Sequence, residues 1–472
     1  MTNHVVKRGD TLYKIANLYR TEINQIQYAN DLVDADTLVI GQALFIPLRS
    51  RVYTVTPGDT LTKIASIYGL SVQSLVDHNG IKDPNFLAVG QMVSIPNQLH
   101  TVEPGDTLWQ LSKDYGVSVK RLIDVNGLPA NGLIRIGQKL YIPREQRPVL
   151  EVNGYSTIIL QEGIHKLEKV AGQLTYVCPF SYNVRKNGTL GPIKDDSYVN
   201  AAIGNGVAPM LCLTNFDDKG FSSDLVHTVL TDSNIQTTLL DQLLSLCKEK
   251  GYVGVNVDFE YILPEDQQAF TLFLTKLVER FHASGLIVAV AVAPKVRSDQ
   301  KGLLYEAFDY EAIGEIVDIV IVMTYEWGWA GGPPQAISPL PEIRKVMEYA
   351  KTAIPKDKLM VSGSLYGRDW TLPYKQGNPK AKTISPSYAI ERAASYGSEI
   401  LYDWKDQAPY FTYLDANTKE HIVWFEDVRS LLAKIQLAVE LDIRGISFWD
   451  LRFPFEAVWP LLEETVIVQK YS

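Results

Sequence analysis

A repeated block of fixed internal spacing occupies the first 143 residues of this 472-residue chain. Each copy begins with Gly-Asp-Thr-Leu, at Gly9, Gly58 and Gly105. In every copy an Asn follows that Gly by 21 residues, a Gly-Gln pair follows the Asn by 11, and an Ile-Pro pair closes the block. The copies are offset by 49 and then 47 residues, and the difference lies between one closing Pro and the next Gly. Because insertions are tolerated in connections and not inside packed units, the spacing predicts three small modules.

Within each copy, the residue pattern predicts a strand, two helices and a second strand. In the second copy, Leu61, Ile64 and Tyr68 have the spacing of one buried helical face, and Asp59 or Thr60 can cap that helix. A second short helix follows, and an alternating tail ending in Ile-Pro predicts the closing strand. We predict βααβ modules over residues 3–48, 51–97 and 99–144.

The repeats resemble the lysin motif (LysM) family, whose modules bind glycans that contain N-acetylglucosamine. The resemblance implies a shallow groove between the loop after the first strand and the loop before the last. The residues that would line it in the second and third copies are Gly58, Asp59, Thr60, Asn79, Gly105, Asp106, Thr107 and Asn126. The alternative is that these residues serve only turn and cap geometry. Three weak modules on one chain would gain avidity on a polymer.

From residue 148 onward, short β-branched runs alternate with helical patterns, which is typical of repeated βα units around a parallel sheet. Eight apolar strands can be counted, and their near-continuous hydrophobicity suits strands buried on both faces. The sequence therefore predicts the α/β class, with a (β/α)₈ TIM barrel over residues 148–472. The polar and aromatic segment of about 367–425 is too long for a βα loop, so we predict an α+β insertion that walls the cleft.

The fourth predicted strand carries three polar side chains on one face. Side chains alternate along a strand, so Asn256, Asp258 and Glu260 point one way and the intervening apolar residues the other. Burying carboxyl groups is costly unless they are hydrogen-bonded or functional. The mutual field of Asp258 and Glu260 should raise one pKa, and a carboxylic acid that stays protonated near neutral pH is what a general acid requires.

Three motifs at predicted strand ends resemble glycoside hydrolase family 18, the chitinase-like barrels. The fourth strand, Val253–Tyr261, is similar to the family's Asp-Gly-x-Asp-x-Asp-x-Glu signature. Met323-Thr324-Tyr325-Glu326 is similar to its Met-x-Tyr-Asp, and Phe448-Trp449 to its final Trp.

The resemblance implies retaining hydrolysis assisted by the substrate's own 2-acetamido group. Glu260 would protonate the glycosidic oxygen and later activate water, Asp258 would orient the acetamido N–H, and Tyr325 would hold its carbonyl oxygen. Trp449 would form the floor of the subsite. The further substrate-binding positions would be Asn256, Tyr261, Met323 and Glu326.

Three positions depart from the family pattern. Val253, Asn256 and Glu326 stand where the family has Asp, and the last exchange lengthens an acid beside the sugar. Asn256 and the Met323–Trp329 segment, followed by Gly332-Pro333-Pro334, are most similar to a branch of the family in endospore-forming bacteria. That branch joins LysM modules to the barrel and acts as an N-acetylglucosaminidase on spore-cortex peptidoglycan during germination. A chitinase and a catalytically inactive spore-coat lectin are the alternatives.

The charge distribution argues against nucleic acid or an anionic membrane as the ligand. Residues 1–147 carry 15 basic and 13 acidic side chains, and residues 148–472 carry 30 and 41. Phosphate binding needs clustered Lys and Arg, so a neutral or sugar-like ligand fits better. The two resemblances imply that this ligand is a peptidoglycan or chitin-like polymer of N-acetylglucosamine. We expect no cofactor and no metal, three buried free thiols, and a monomer. The N-terminus has no pattern of a classical signal peptide, so we expect synthesis in the cytosol and association with the spore coat or cortex.

Overall fold

The computed structural model describes most of the chain, with short gaps. The described residues are 3–19, 21–32, 37–47, 51–96, 99–115, 117–143, 147–377 and 379–471. The predicted module ends at residues 48, 97 and 144 lie outside them, as does the last residue of the predicted barrel. The chain forms two compact units: one combines most of the first repeat with the barrel (1–16, 22–46 and 148–472), and the other contains 17–21 and 47–147.

Each repeat folds as strand, helix, helix, strand, as the spacing predicts. The strands of each repeat pair with each other in an antiparallel two-stranded sheet. The elements are β1 (Asn3–Val5), α1 (Leu12–Tyr19), α2 (Ile23–Ala29) and β2 (Ala43–Phe45); β3 (Arg51–Thr54), α3 (Leu61–Tyr68), α4 (Val72–Asn79) and β4 (Met92–Ile95); β5 (Leu99–Thr101), α5 (Leu108–Tyr115), α6 (Val119–Asn126) and β6 (Lys139–Tyr141). We refer to them as modules 1, 2 and 3.

Local sequence explains where the module helices begin and end. Thr60 is the N-cap of α3, and its hydroxyl oxygen accepts a hydrogen bond from the Lys63 amide at 3.2 Å. Gly69 follows α3 in the left-handed conformation, with φ of 67°. Glycine adopts this conformation at little energetic cost because it has no Cβ. Each helix contributes one apolar face to a small core, formed in module 2 by Leu61, Ile64 and Leu75.

Strands and helices alternate through the rest of the chain. The strands are β7 (Val149–Ser156), β8 (Tyr176–Pro179), β9 (Tyr182–Asn183), β10 (Ala208–Thr214), β11 (Phe216–Asp217), β12 (Gly220–Phe221), β13 (Gly254–Asp258), β14 (Ile287–Val292), β15 (Ile319–Val322), β16 (Leu359–Ser364), β17 (Gly367–Thr371), β18 (Lys382–Ile384), β19 (Leu401–Asp403), β20 (Ala408–Leu414), β21 (Glu420–Trp424), β22 (Gly445–Trp449) and β23 (Ile467–Val468). The helices are α7 (Gln161–Val170), α8 (Asp196–Gly204), α9 (Ser223–Thr231), α10 (Ser233–Lys250), α11 (Gln267–His282), α12 (Tyr310–Ile316), α13 (Leu340–Ala353), α14 (Pro386–Tyr396), α15 (Val428–Glu440) and α16 (Val458–Thr465).

Eight of these strands close into a parallel barrel, which confirms the predicted (β/α)₈ fold. They pair in the order β7, β8, β10, β13, β14, β15, β16, β22, and β22 pairs with β7 to complete the ring. Val255, Val257 and Phe259 pack outward against the helix layer. The interior is filled largely by a separate set of side chains: Tyr155, Tyr176, Cys178, Ala208, Met210, Cys212, Ala289, Ile319, Ile321 and Met360. The C-terminal strand ends therefore surround one mouth of the barrel, where such folds place their chemistry.

The insertion is a small α+β body between β16 and α15. Its antiparallel sheet has the strand order β18, β17, β21, β20, β19, and α14 lies between β18 and β19 in the chain. Ala389 and Ala393 of α14 share an apolar cluster with Phe411 and Val423 of the sheet.

All three cysteines, Cys178, Cys212 and Cys247, are buried and free, as predicted. Within the described ranges, no helix is long and apolar enough to cross a membrane.

Candidate active site

Strand β13 carries Asn256 and Asp258 into the barrel interior. The two side chains are 0% and 5% exposed, although both are polar. Their outward-facing neighbours Val255 and Val257 pack in the helix layer, so the predicted alternation along this strand is present. The sequence Asn-Val-Asp thus places two polar side chains in the barrel interior, while the valine between them still packs in the outer apolar core.

Two buried oxygens on this strand lack a hydrogen-bond partner. The Asn256 amide nitrogen donates to the Tyr155 hydroxyl at 2.9 Å, which leaves the amide oxygen Oδ1 unpaired. Oδ1 of Asp258 is also buried and unpaired. Buried polar atoms are paired in the great majority of cases, so unpaired oxygens in a barrel mouth indicate space for a polar ligand group.

The pKa values of both acids lie above their ordinary values. Burial raises the pKa of Asp258. Burial raises the pKa of Glu260 first of all, and the negative charges of Asp258 and Glu326 raise it further. Because the two acids titrate together, the pair can retain a proton near neutral pH. This is the protonation state that general acid catalysis requires.

Glu260 lies just beyond the end of β13, and Asn215 holds its backbone. Oδ1 of Asn215 accepts from the Glu260 amide at 2.9 Å, and Nδ2 of Asn215 donates to the Glu260 carbonyl oxygen at 2.8 Å. The next residue, Tyr261, has a positive φ of 55°, and its carbonyl oxygen accepts from the Ser223 hydroxyl at 2.6 Å. The loop after β10 therefore fixes the turn that presents the acid.

Tyr325 and Met323 follow β15 and line the cavity beside Glu260. Burial raises the pKa of the Tyr325 phenol well above its usual range, and the negative charges of Asp258 and Glu260 add to this. The phenol therefore keeps its proton over the physiological pH range and can donate a hydrogen bond.

Glu326 is held by two residues at the start of the insertion. The Tyr366 hydroxyl and the Arg368 guanidinium both donate to the same carboxylate oxygen, Oε1. Arg368 is nearly buried, and its guanidinium lies over the Tyr366 ring at 5.1 Å. The glutamate at this position, a departure from the family pattern, is thus accommodated by a cation and a phenol.

Trp449 ends the last barrel strand and packs on aromatic neighbours. Its ring lies 4.8 Å from the Phe180 ring in an edge-to-face contact and 5.5 Å from the Tyr155 ring. A ring held on two sides in this way offers a rigid apolar surface at the barrel mouth.

A cavity of about 720 Å³ opens at this end of the barrel. Its lining includes Glu260, Tyr261 and Glu326, together with Trp327 and Trp329. The Trp329 ring is 51% exposed. The volume and the mixed aromatic and carboxyl lining suit a sugar more than a purely apolar ligand. No group of three His, Cys, Asp or Glu side chains that could hold a metal ion is found in the part of the chain that the structure describes.

The predicted glycan-binding side chains of modules 2 and 3 are engaged inside their own modules. Nδ2 of Asn79 donates to the carbonyl oxygens of Leu75 and Ser94, and its Oδ1 accepts from the Ser94 amide at 2.7 Å. Asn126 makes the matching set of bonds in module 3. These amides pin the end of the second helix to the last strand.

The Asp and Thr of the Gly-Asp-Thr motif are also bonded locally. Asp59 accepts from the Thr56 amide at 2.8 Å, and Asp106 from the Glu103 amide at 2.7 Å. Thr107 accepts from the Gln110 amide, as Thr60 does in α3. A ligand in the groove would therefore meet mainly backbone, and open space surrounds Gly58 and Gly105. The role of these residues in glycan binding stays a prediction.

Sequence reasoning missed Asn215, Tyr366 and Arg368. Asn215 directly follows the third barrel strand, and a polar residue at a strand end was the available signal. Tyr366 and Arg368 form a Tyr-Gly-Arg sequence directly after the seventh strand, which is the same kind of signal. All three lie outside the recognised motifs: Asn215 and Tyr366 are in connections, and Arg368 is near the start of β17.

Comparisons with known proteins agree with this geometry. Residues 217–453 match glycosyl hydrolases family 18, and residues 4–47, 53–96 and 100–143 each match the LysM domain. The chain belongs to glycosyl hydrolases family 18. It is therefore a glycoside hydrolase, with three LysM domains before the family 18 barrel.

Relatives match this family 18 chain over nearly its full length. It is 40% identical to the cortical fragment-lytic enzyme of Bacillus subtilis strain 168, with 100% of this chain and 99% of that protein covered. The crystal structure of the Bacillus cereus spore cortex-lytic enzyme SleL superposes with a TM-score of 0.80 at 35% identity, covering 99% of this chain and 98% of that one. A chitinase from Chromobacterium violaceum, 24% identical over 67% of this chain and 98% of its own, has a TM-score of 0.62 and shares the fold.

Proposed function

We propose that the chain is an N-acetylglucosaminidase that cleaves β-1,4 bonds after N-acetylglucosamine in spore-cortex peptidoglycan, with substrate-assisted retention of configuration. The observation that carries the proposal is the pair of acids at the end of β13: Asp258 is buried, Glu260 lines the open cavity, and both have pKa values raised by burial. The full-length similarity to cortical fragment-lytic enzymes supports the choice of polymer.

The first step transfers the proton of Glu260 to the glycosidic oxygen as that bond breaks. The carbonyl oxygen of the substrate's 2-acetamido group bonds to the anomeric carbon and forms an oxazolinium ion. Asp258 supports this step, because its unpaired buried oxygen can accept from the acetamido N–H. The protonated Tyr325 hydroxyl can donate to the acetamido oxygen and orient it for attack.

In the second step, Glu260 accepts a proton from water as the water oxygen attacks the anomeric carbon. The oxazolinium ring opens, the acetamido group is restored, and the net reaction adds one water across the bond. Trp449 would lie under the pyranose ring, with Tyr261, Met323, Glu326 and Asn256 around the subsite.

The LysM domains and the negative charge of the barrel also support the proposal. The two LysM domains of the second unit supply weak contacts to the same polymer, which add through avidity. The acidic barrel disfavours a polyanionic ligand, and association with the spore cortex follows from the substrate. The monomeric state stays a prediction.

The test is Glu260→Gln, with Glu265→Gln as the matched control because Glu265 is exposed and lies outside the cavity lining. Cortex fragments and chitin oligosaccharides are digested, and mass spectrometry identifies the sugar at each new reducing end. We expect wild type and Glu265→Gln to release N-acetylglucosamine ends from cortex fragments, and Glu260→Gln to lose at least a hundredfold in rate. Pull-down of cortex glycan should stay unchanged in all three proteins.

The outcomes separate the alternatives. Hydrolysis by Glu260→Gln at the wild-type rate would refute the catalytic assignment. Preference for chitin over cortex would identify a chitinase, and complete inactivity of wild type on both would identify a glycan-binding lectin. Cortex glycan with its N-acetyl groups removed should resist cleavage, because the nucleophile belongs to the substrate.

A further inference from the structure

The three modules share one backbone turn but place it in different surroundings. The turn before the last strand contains Gly41 in module 1, Gly90 in module 2 and Gly137 in module 3, with φ of 85°, 85° and 81°. A Cβ added to Gly90 or Gly137 would meet nothing within 4 Å. A Cβ added to Gly41 would lie 1.8 Å from the carbonyl oxygen of Ile400 in the insertion. The turn of module 1 is therefore in direct contact with the insertion.

Hydrogen bonds fix that contact at backbone level. The amide of Ile400 donates to the carbonyl oxygen of Ile40 at 2.9 Å. The guanidinium of Arg429, at the start of α15, donates to the carbonyl oxygen of Gly41 at 3.2 Å. Arg429 is itself held by Asp427 and lies 4.1 Å from the centre of the Tyr402 ring. Module 1 thus meets a preorganised surface on the catalytic body.

The burial of apolar side chains also distinguishes module 1 from module 2. Val39 is 5% exposed and belongs to the apolar cluster of the inserted sheet, with Ile384 and Phe411. Ala43 is 8% exposed, whereas Met92, its equivalent in module 2, is 73% exposed. The face that module 2 leaves to solvent at Met92 is therefore covered in module 1.

The inserted sheet connects this contact to the cavity. Val39 packs in the cluster of the sheet that contains β17, and β17 carries Arg368. Arg368 in turn donates to Glu326 at the cavity wall. Displacing module 1 would uncover one side of the sheet from which Arg368 reaches the site.

We propose that the part of module 1 in the first compact unit (3–16, 22–32 and 37–46) is a fixed structural part of the catalytic body that holds the insertion in place, and is not a freely tethered glycan-binding module. The interaction surface is the turn Val39–Gly41 with Ala43, and its partner is the insertion together with the start of α15.

The repeat supplies matched variants. Gly41→Val, Gly90→Val and Gly137→Val each place a β-branched residue at the same strained φ, so the local cost is common to all three. Only Gly41→Val collides with the insertion. In the full-length protein we expect Gly41→Val to lower the melting temperature of the barrel and to speed amide hydrogen exchange at Ile400 at least tenfold. The two control variants should leave both quantities as in wild type.

A milder pair keeps the proposal testable if Gly41→Val does not fold. Val39→Ala removes buried apolar atoms from the contact, and Val89→Ala removes exposed ones from the equivalent turn of module 2. Val39→Ala should speed exchange at Ile400 severalfold and Val89→Ala should not. Equal exchange in the two proteins, or a Gly41→Val protein that melts like Gly90→Val, would overturn the proposal.

Activity on a soluble chitin oligosaccharide gives a third readout, and this one rests on the proposed function. We expect kcat/KM to fall at least tenfold further in Gly41→Val than in Gly90→Val or Gly137→Val. If wild type does not cleave the oligosaccharide, the proposed function fails for that substrate, while melting and exchange still decide the role of module 1.

Discussion

The side chain of Asn215 binds both polar groups of the Glu260 backbone. One amide group thereby pairs the N–H and the C=O of the residue that carries the catalytic proton in our proposal, at 2.9 and 2.8 Å. Asn215 is completely buried and also donates to the Ser222 carbonyl oxygen at 3.0 Å. The acid is consequently positioned by a neighbouring strand as well as by its own.

We expect Asn215→Ala to lower kcat about ten- to a hundredfold with a small change in KM. The variant leaves the carboxyl group in place but frees its backbone, and misplacement of about 1 Å can cost a hundredfold in rate. Steady-state kinetics on cortex fragments checks this split. Asn205→Ala is the control, because Asn205 is exposed and bonds only within its own helix end. Equal kcat in the two variants would show that the Asn215 contact does not position the acid.

The raised pKa values of Asp258 and Glu260 predict how stability depends on pH. Their pKa values are raised on folding, so the folded state binds more protons than the unfolded state above the ordinary glutamic acid value of about 4.5. Stability contributed by the protonated pair is present below that value and is lost as pH rises toward the raised pKa. Relative to wild type, Glu260→Gln should therefore gain melting temperature as pH increases from 4.5 into the neutral range. Calorimetry at several pH values measures this, and parallel curves for the two proteins would contradict it.

The contacts of Arg368 and Tyr366 with Glu326 predict that substituting Arg368 will change the pH–rate profile. Arg368→Met removes the cation beside Glu326, so the charge of Glu326 should act more strongly on Glu260 and raise the pKa of Glu260 further. The alkaline limb of kcat/KM should then move to higher pH, with a lower maximum rate. Tyr366→Phe, which keeps the cation, is the matched control and should move the limb less. An unchanged limb in Arg368→Met would mean that Glu326 does not act on Glu260.

The hydrogen bonds of Asn79 predict that its substitution will destabilise module 2 alone. Asn79→Ala removes three hydrogen bonds, two to Ser94 of β4 and one to Leu75 within α4, which at about 1 kcal/mol each is a large share of the stability of so small a fold. Hydrogen exchange in the full-length protein should accelerate across module 2 and leave the barrel unchanged. Asn85→Ala, in an exposed turn, is the control. If only glycan binding fell and exchange stayed the same, Asn79 would be a binding residue and not a structural one.

The barrel and the modules could be predicted because their signals are periodic. Asn256 and Asp258 lie on a strand, so alternation alone fixed the face on which they lie, and the identical spacing of three repeats fixed the modules. Asn215 and Tyr366 could not be placed in this way, because connections have no period. Arg368 lies on β17, but its partner Glu326 is distant in the chain. The contact of Gly41 with Ile400 could not be predicted either, since Gly41 and Gly90 occur in the same motif and only the fold distinguishes them.

The internal bonding of Asn30, Asn79 and Asn126 has an evolutionary consequence. Because these side chains hold each module together from within, the outer surface of a duplicated copy can diverge without loss of its fold. A duplicated copy can in this way keep its fold while its outer surface acquires a different neighbour. The turn that faces solvent at Gly90 and protein at Gly41 records such a divergence within a single polypeptide.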